Sequence, residues 1–476
     1  MSSLTGFLNN KFKLEENGTN VKTEFRAGLT TFMAMVYILM VNAGMFTAAG
    51  VSYEAMYITT AISAIVGTVL IGLLAGLPLA QAPGMGLNAF FVYTVCLGFG
   101  LSYANALVLI LIDGLVFIAL TLTGLRKIIF EAIPSPVKKA IPAGIGLFIA
   151  FIGLQGAGIV VDDGATLVNL TSFNLLGKAT WASIMPVLVT ILAFIAMGVL
   201  AKRGVNGAVV YGILGGAALY YILGLTVPGF YQNLGITLSN PFAAFGKFGT
   251  ETFGKVFTEG FNFSAYLNKP GNNVGSLVIV IITSSLAFCL VDMFDTMGTL
   301  YGACARGNLL VEKEDGEKEV PNMEKAMLAD AVATTTGAIL GTSTVTTFVE
   351  SSAGTAEGGK TGLTSIFTSL FFVIAMFLTP VAMLIPSAAT NAALIYVGVL
   401  MMASVKDIDW SDIGSAIPAF LTVSFMPFTY NISYGIAFGI ISYLLITLFE
   451  KKGYKKINVA TYVIAALFIA MFLISR

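Results

Sequence analysis

Histidine is absent from the 476 residues. That removes the commonest metal ligand and the usual proton carrier at neutral pH, so any proton chemistry falls to Asp and Glu. Charge is scarce as well: Asp, Glu, Lys and Arg make up 11% of the chain, against about 25% in an ordinary soluble domain. Only three cysteines occur, Cys96, Cys289 and Cys304. They lie in or beside apolar stretches, without the spacing of a disulfide framework or a metal site. Neither a metal cluster nor a nucleophile–base pair is visible, which argues against an enzyme and against a bound cofactor. The first 24 residues are polar and lack an apolar signal-peptide core, so no cleavable signal is expected.

What fills the chain instead is apolar. Hydrophobic residues make up 57% and the mean hydropathy is +0.89. Stretches of about 18–22 almost purely apolar residues, such as "YVIAALFIAMFLI" with its flanks, have the length of membrane-crossing helices. The chain therefore reads as a polytopic membrane protein with the lipid bilayer as a partner. Candidate spans fall at 27–48, 54–77, 83–99, 104–124, 139–159, 181–201, 206–225, 275–303, 323–341, 343–357, 362–383, 388–404, 413–430, 431–449 and 456–474. The segment 456–474 fits either a fifteenth span or an interfacial helix. With a cytoplasmic N-terminus, 20 of the 25 Lys and Arg residues fall on the cytoplasmic side, as the positive-inside rule requires. The exceptions are Lys178, Lys247, Lys255, Lys269 and Arg476.

Two spans are poor helices. The third opens "QAPGMGLNAFF", with Pro83, Gly84 and Gly86 near its start. The tenth reads "TSTVTTFVESSAGTAEGG", β-branched first and then small and polar. Both fit a short strand followed by a half-helix. These spans also take corresponding places in a weak internal repeat. "VYILMVNAGMF" lays over "FCLVDMFDTMGT", setting Asn42 opposite Asp295. "PGMGLNAFF" lays over "TTFVESSAG", bringing Asn88 to within one position of Glu350. Each half holds seven spans, an odd number, so the second half enters the membrane inverted. Inverted repeats with paired interrupted spans point to a secondary transporter whose site lies near the midplane, because non-helical backbone survives at that depth only when buried in protein or lining a cavity.

The intramembrane acids then carry the functional reading. Asp292 and Asp295 are one helical turn apart and share a face. Glu350 sits at the join of the tenth span's two parts. Asp295 and Glu350 are expected to contact substrate, with Asn88 and Asn42 as amide partners and Phe90 as an aromatic wall. The alternative for Asn88 is a cap or a helix–helix hydrogen bond. Asp292, Asp330 and Glu357 are expected in proton coupling or support. Bracing between helices is favoured for Asp330 and Asp113, and a role in gating is open for Glu357. The charged stretch from Glu312 to Glu324 reads as a solvated connector, and 226–274 as a long external loop packed over the outer face.

The motifs "GLTTFMAMVYILMVN", "APGMGLNAFF", "DMFDTMGTLYG", "ESSAGTAEGGKTGLTS" and "AIPAGIGLFIAFIGLQ" together resemble the AzgA-type purine permeases, a branch of the nucleobase:cation symporter-2 family. The resemblance covers about residues 10–450. It implies an all-α UraA-like transporter of 7+7 inverted spans, with short strands in spans three and ten. It implies a core domain of residues 1–125 and 275–384, a gate domain of 126–226 and 385–450, an extracellular loop at 227–274 and a C-terminal apolar segment at 451–476. Homodimers through the gate domain and an elevator-like core movement are implied too. The family's span-eight acid, three residues before a glycine, falls on Asp295 ahead of Gly298. Its span-ten position falls on Glu350 and its span-three asparagine on Asn88. The uracil-transporting relatives carry a histidine after the glycine; Thr299 stands here, so their histidine-assisted coupling does not carry over.

The expectation is therefore a multi-pass plasma-membrane importer of purine bases, hypoxanthine and guanine favoured. No cofactor is expected, the coupling ion is the proton, and nucleic acid is not a partner. Adenine, xanthine or uracil transport on the same fold is the alternative. An anion transporter of the sulfate or bicarbonate class fits less well, because such a site should be electropositive.

Overall fold

In the computed structural model, residues 2–124, 133–177, 179–233, 240–312, 318–450 and 457–474 are described. Nine of the basic residues used in the charge count (Arg126, Lys127, Lys178, Lys313, Lys451, Lys452, Lys455, Lys456 and Arg476) lie outside them, as do residues 313–317 of the charged connector and 234–239 of the long loop.

A polar helix α1 (Ser2–Phe12) precedes the first span, which is broken at Val36 into α2 (Val21–Met35) and α3 (Tyr37–Phe46). Then come α4 (Tyr53–Leu70), strand β1 (Gln81–Pro83), the half-helix α5 (Met85–Ala89) running on in wider turns to Gly98, and α6 (Tyr103–Thr123). Three helices close the first half: α7 (Ser135–Gly156), α8 (Trp181–Lys202) and α9 (Ala208–Gly224). Between α7 and α8 lies the hairpin β2 (Val160–Asp163) and β3 (Leu167–Leu170).

The same order then recurs. Helix α10 (Val274–Arg306) is followed by the two-residue strands β4 (Val311–Glu312) and β5 (Lys318–Glu319), then α11 (Met323–Leu340). Strand β6 (Val345–Thr347), half-helix α12 (Ser351–Ala356) and α13 (Gly362–Met376) match β1, α5 and α6. Helices α14 (Ser387–Met401), α15 (Ile413–Phe428), α16 (Ile432–Leu448) and α17 (Val459–Ile474) complete the chain. A helix, or a strand with a half-helix, stands at each expected span, though some ends differ by six or seven residues, as at Val21, Leu70 and Met376. The chain's helix starts are set by small polar caps: Ser102 with Asn105, Thr180 with Ser183, and Asn273 with Ser276 form reciprocal capping pairs at α6, α8 and α10. Such caps satisfy N–H groups that the first helical turn leaves unpaired.

The helices pack in two groups. One joins α2, α3, α4, α6, α10, α11, α12 and α13; the other joins α7, α8, α9, α14, α15 and α16. Helix α17 packs against α10 and α16, with Phe468 and Met471 buried and the Phe472 ring 5.3 Å from Tyr434. The described part of the long loop is fixed to the first group. Lys247 pairs with Glu54 at 2.7 Å, Glu251 accepts from the Ser52 N–H at 3.0 Å, and Asn105 donates to the carbonyls of Gly260 and Asn262 at 2.7 and 3.0 Å.

Strands β1 and β6 run antiparallel, with Gln81, Ala82 and Pro83 opposite Thr347, Thr346 and Val345. All six residues are buried. Their backbone groups need partners that lipid does not offer. Beyond the ladder, the Gly84 N–H donates to Thr344 and the Phe348 N–H to Ala80, both at 3.0 Å. Side-chain hydroxyls finish the task. Thr68 both donates to the Gln81 carbonyl and accepts from its N–H, at 3.0 and 2.9 Å. Thr334 donates to the Val345 carbonyl at 3.1 Å. Hydroxyls on α4 and α11 thus serve the crossing of two strands inside the protein.

The basic end of the first group is held by a residue the sequence did not single out. Glu24, fully buried on α2, accepts from the backbone N–H groups of Lys360, Thr361 and Thr364 and from the hydroxyls of Thr19, Thr361 and Thr364, at 2.6–3.3 Å. It caps α13 from another helix, where a carboxylate also meets the positive end of the helix dipole. Glu24→Gln puts an N–H₂ against these donors and is expected to cost about 2–3 kcal/mol, read as a lower midpoint in thermal unfolding of the detergent-purified protein.

Candidate functional site

The strand crossing gathers the acids. Asp295, on α10, is part-buried and faces the start of α5: a Cβ on Gly84 would lie 3.9 Å from its Oδ2. No described side chain or backbone group is hydrogen-bonded to its carboxylate. Glu350 stands at the N-cap position of α12, directly after β6, and its Oε1 accepts from the Tyr37 hydroxyl at 2.5 Å. Asp295 and Glu350 are near enough for their charges to interact. Two acceptor groups from two different elements thus stand near the ends of the strands, Asp295 beside Gly84 and Glu350 three residues beyond Thr347.

Behind them lies a second layer. Asp330, on α11, accepts from Gln81 Nε2 at 3.0 Å and from the Thr296 hydroxyl at 2.9 Å. Thr296 and Thr346 share a hydrogen bond of 2.6 Å. Asp113, on α6, accepts from Thr344 at 3.2 Å. These bonds tie α6, α10 and α11 to the two strands, which is bracing between helices. Asp292 is fully buried in the same layer, beside Thr346 and within electrostatic range of Asp330, Asp113 and Asp295. Neither of its oxygens makes a well-formed hydrogen bond, and the Thr346 hydroxyl is the polar group beside them.

The amides and the ring occupy other places. Asn88 is fully buried; its Nδ2 donates to the Pro83 carbonyl at 3.2 Å and its Oδ1 accepts from Ser343. Its side chain therefore brackets the start of α5 to the approach to β6. Asn42 donates to Thr60 at 2.7 Å, and its Oδ1 has no partner. The buried Phe90 ring packs on Phe288 of α10 at 4.6 Å. Glu357 stands apart from the buried cluster. At the basic end it pairs with Arg26 at 3.3 Å and accepts from Asn206, in the α8–α9 turn, at 3.4 Å. That surface position, a third exposed, suits a contact between the two helix groups.

Among the described residues, the ion pairs Lys13–Glu16, Arg26–Glu357, Lys247–Glu54 and Lys255–Glu259 lie away from the crossing. Among the described residues no group of three or more His, Cys, Asp or Glu is placed to hold a metal ion, and the three cysteines are free and buried. Sequence reasoning missed Tyr37, Gln81, Thr296 and Ser343. A hydroxyl within "MVYILM" and an amide just ahead of Pro83 were the available signals.

Residues 22–438 match the Permease family, Xan_ur_permease. The chain belongs to this family. It is the nucleobase:cation symporter-2 group to which the motifs pointed. A putative permease of Methanocaldococcus jannaschii is 40% identical over 98% of both chains. The guanine/hypoxanthine permease PbuO of Bacillus subtilis is 39% identical, covering 96% of this chain and 98% of its own. The adenine permease AdeQ of Escherichia coli K12 is 34% identical, covering 98% and 96%. These relatives are permeases, and this protein is a multi-pass membrane transporter rather than an enzyme. Among solved structures, the transmembrane domain of the cyanobacterial bicarbonate transporter BicA superposes with a TM-score of 0.59 at 15% identity, covering 87% of this chain and 97% of that one. At that identity the likeness concerns the fold, the UraA-like architecture of inverted repeats.

Proposed function

We propose that the protein is a secondary active transporter that imports purine nucleobases across the plasma membrane, hypoxanthine and guanine in preference, by proton symport. The observation that carries this reading is the pair Asp295 and Glu350 at the strand crossing, in a chain similar to guanine/hypoxanthine permeases. A neutral oxopurine presents ring N–H donors and a carbonyl acceptor. Carboxylates accept from the former, and a base that leaves one unpaired loses about 1–3 kcal/mol. Asp295 is the primary contact and Glu350 the second. Asn42, with a free Oδ1, and Phe90 contribute from the neighbouring walls; Asn88 acts by holding the loop that shapes them.

Without histidine, the proton rides on a carboxyl group. Asp292, buried and without a well-formed hydrogen bond, is the coupling residue, with Asp330 as its braced neighbour. The helix group that carries the crossing moves as the core against the gate helices, and Glu357 closes the cytoplasmic edge by reaching from Arg26 to Asn206. The N-terminus is cytoplasmic, and two copies pair through the gate domain.

In proteoliposomes, uptake is expected to rise with an inward proton gradient and to ignore a sodium gradient. Uptake that follows sodium and disregards pH overturns the coupling. Adenine is the second reading, favoured by relatives named as adenine permeases at 34–36% identity. An anion cargo of the kind BicA is named for is disfavoured by the acids that line the crossing.

A further inference from the structure

We propose that Tyr37 is a positioning residue for purine binding: its hydroxyl fixes the Glu350 carboxylate so that the second oxygen is presented to the base. The inference rests on the purine reading above and goes beyond it by assigning a residue on the first span.

Tyr37 follows the break at Val36 that separates α2 from α3. Its ring is fully buried among apolar neighbours. The hydroxyl is the single polar atom its side chain brings there, and it donates to Glu350 Oε1 at 2.5 Å, linking residues 313 positions apart. With the phenol as donor the bond uses Oε1, so Oε2 is the oxygen left to accept from a ligand N–H. A glutamate has three side-chain torsions, and holding them in advance removes an ordering cost from binding. A second phenol, Tyr396 on α14 of the other helix group, lies within electrostatic range of both Tyr37 and Glu350. Glu350 is thus tied within its own group and approached from the opposite one.

The test is radiolabelled hypoxanthine uptake and binding by the full-length protein in proteoliposomes. Tyr37→Phe keeps the ring and removes the hydroxyl. It is expected to raise KM and Kd about tenfold while leaving Vmax within about twofold and the thermal midpoint near wild type. Glu350→Asp keeps the charge but withdraws it from Tyr37. On that background Tyr37→Phe is expected to add nothing, because the hydroxyl acts only through Glu350. Wild-type KM in Tyr37→Phe overturns the inference, as does a loss of the same size on both backgrounds, which marks a packing role. A wild-type protein that takes up no purine overturns both this and the proposed function. A wild type that transports purine beside an unaffected Tyr37→Phe overturns the inference alone.

Discussion

Asp295→Asn is expected to lower saturable purine uptake by about 100-fold or more, with the protein still inserted at normal abundance. Two features of the side chain produce that combination. It is part-buried at the strand crossing, opposite Gly84, where water competes poorly for a ligand. It also makes no hydrogen bond to a described group, so the fold does not depend on its charge. The substitution preserves shape but replaces one acceptor oxygen by an N–H₂, which then opposes a purine N–H. A site that hydrogen-bonds its substrate rejects the mismatched partner strongly because both groups are left unpaired. Asp330→Asn is the informative contrast. Its carboxylate holds Gln81 and Thr296, so there the expected loss appears in thermal stability as well as in uptake. Equal uptake by wild type and Asp295→Asn, measured with radiolabelled hypoxanthine in whole cells and normalised to membrane abundance, refutes the site.

Gly362→Ala is expected to deplete folded protein. Gly362 opens α13 where that helix crosses the end of the second span, and an added Cβ would stand 1.9 Å from the carbonyl oxygen of Gly72. The obstacle is backbone, which cannot rotate aside. Relief requires moving α13 away from the second span, and α13 is the helix whose start Glu24 holds. Overpacking against a rigid partner of this kind costs about 3 kcal/mol or more. The reverse approach is tight as well: a Cβ on Gly72 would meet Ser365 Cβ at 2.7 Å. Size-exclusion chromatography of a fluorescent fusion after heating is expected to show a lost or lowered monodisperse peak. Gly298→Ala is the control, since a Cβ there meets nothing within 4 Å. A Gly362→Ala protein as heat-resistant as wild type would contradict the close crossing.

Most of the fold could be read from the sequence because the bilayer enforces it. Apolar runs of the right length must be helices, and the two poorly helical spans, at "QAPGMG" and "TSTVTTFVE", are where the buried strands β1 and β6 occur. The duplicated order, with Asn42 over Asp295 and Asn88 within one position of Glu350, also pointed to the two interrupted spans. What polarity cannot reveal is who satisfies whom. Asp292, Asp295 and Asp330 look alike as intramembrane acids. Asp330 is braced by two donors, Asp295 has none, and Asp292 is buried beside the Thr346 hydroxyl without a well-formed bond to it. Those differences come from residues 34 to 249 positions away in the chain. Asn88 carries the same lesson in reverse. An amide on an interrupted span suits a ligand, and only the fold shows that Ser343 and the Pro83 carbonyl also reach it. Tyr37 and Glu24 were hidden for a different reason. One tyrosine in an apolar run and one glutamate in a polar N-terminal segment are unremarkable until Glu350 and the start of α13 are folded against them.

Competition of radiolabelled hypoxanthine uptake into proteoliposomes containing only this protein tests the central claim most directly. The expected result is saturable uptake, suppressed by unlabelled guanine and hypoxanthine, insensitive to sulfate and bicarbonate, and lost in Asp295→Asn. Uptake no greater than in protein-free liposomes, or uptake suppressed by bicarbonate and untouched by guanine, would contradict it.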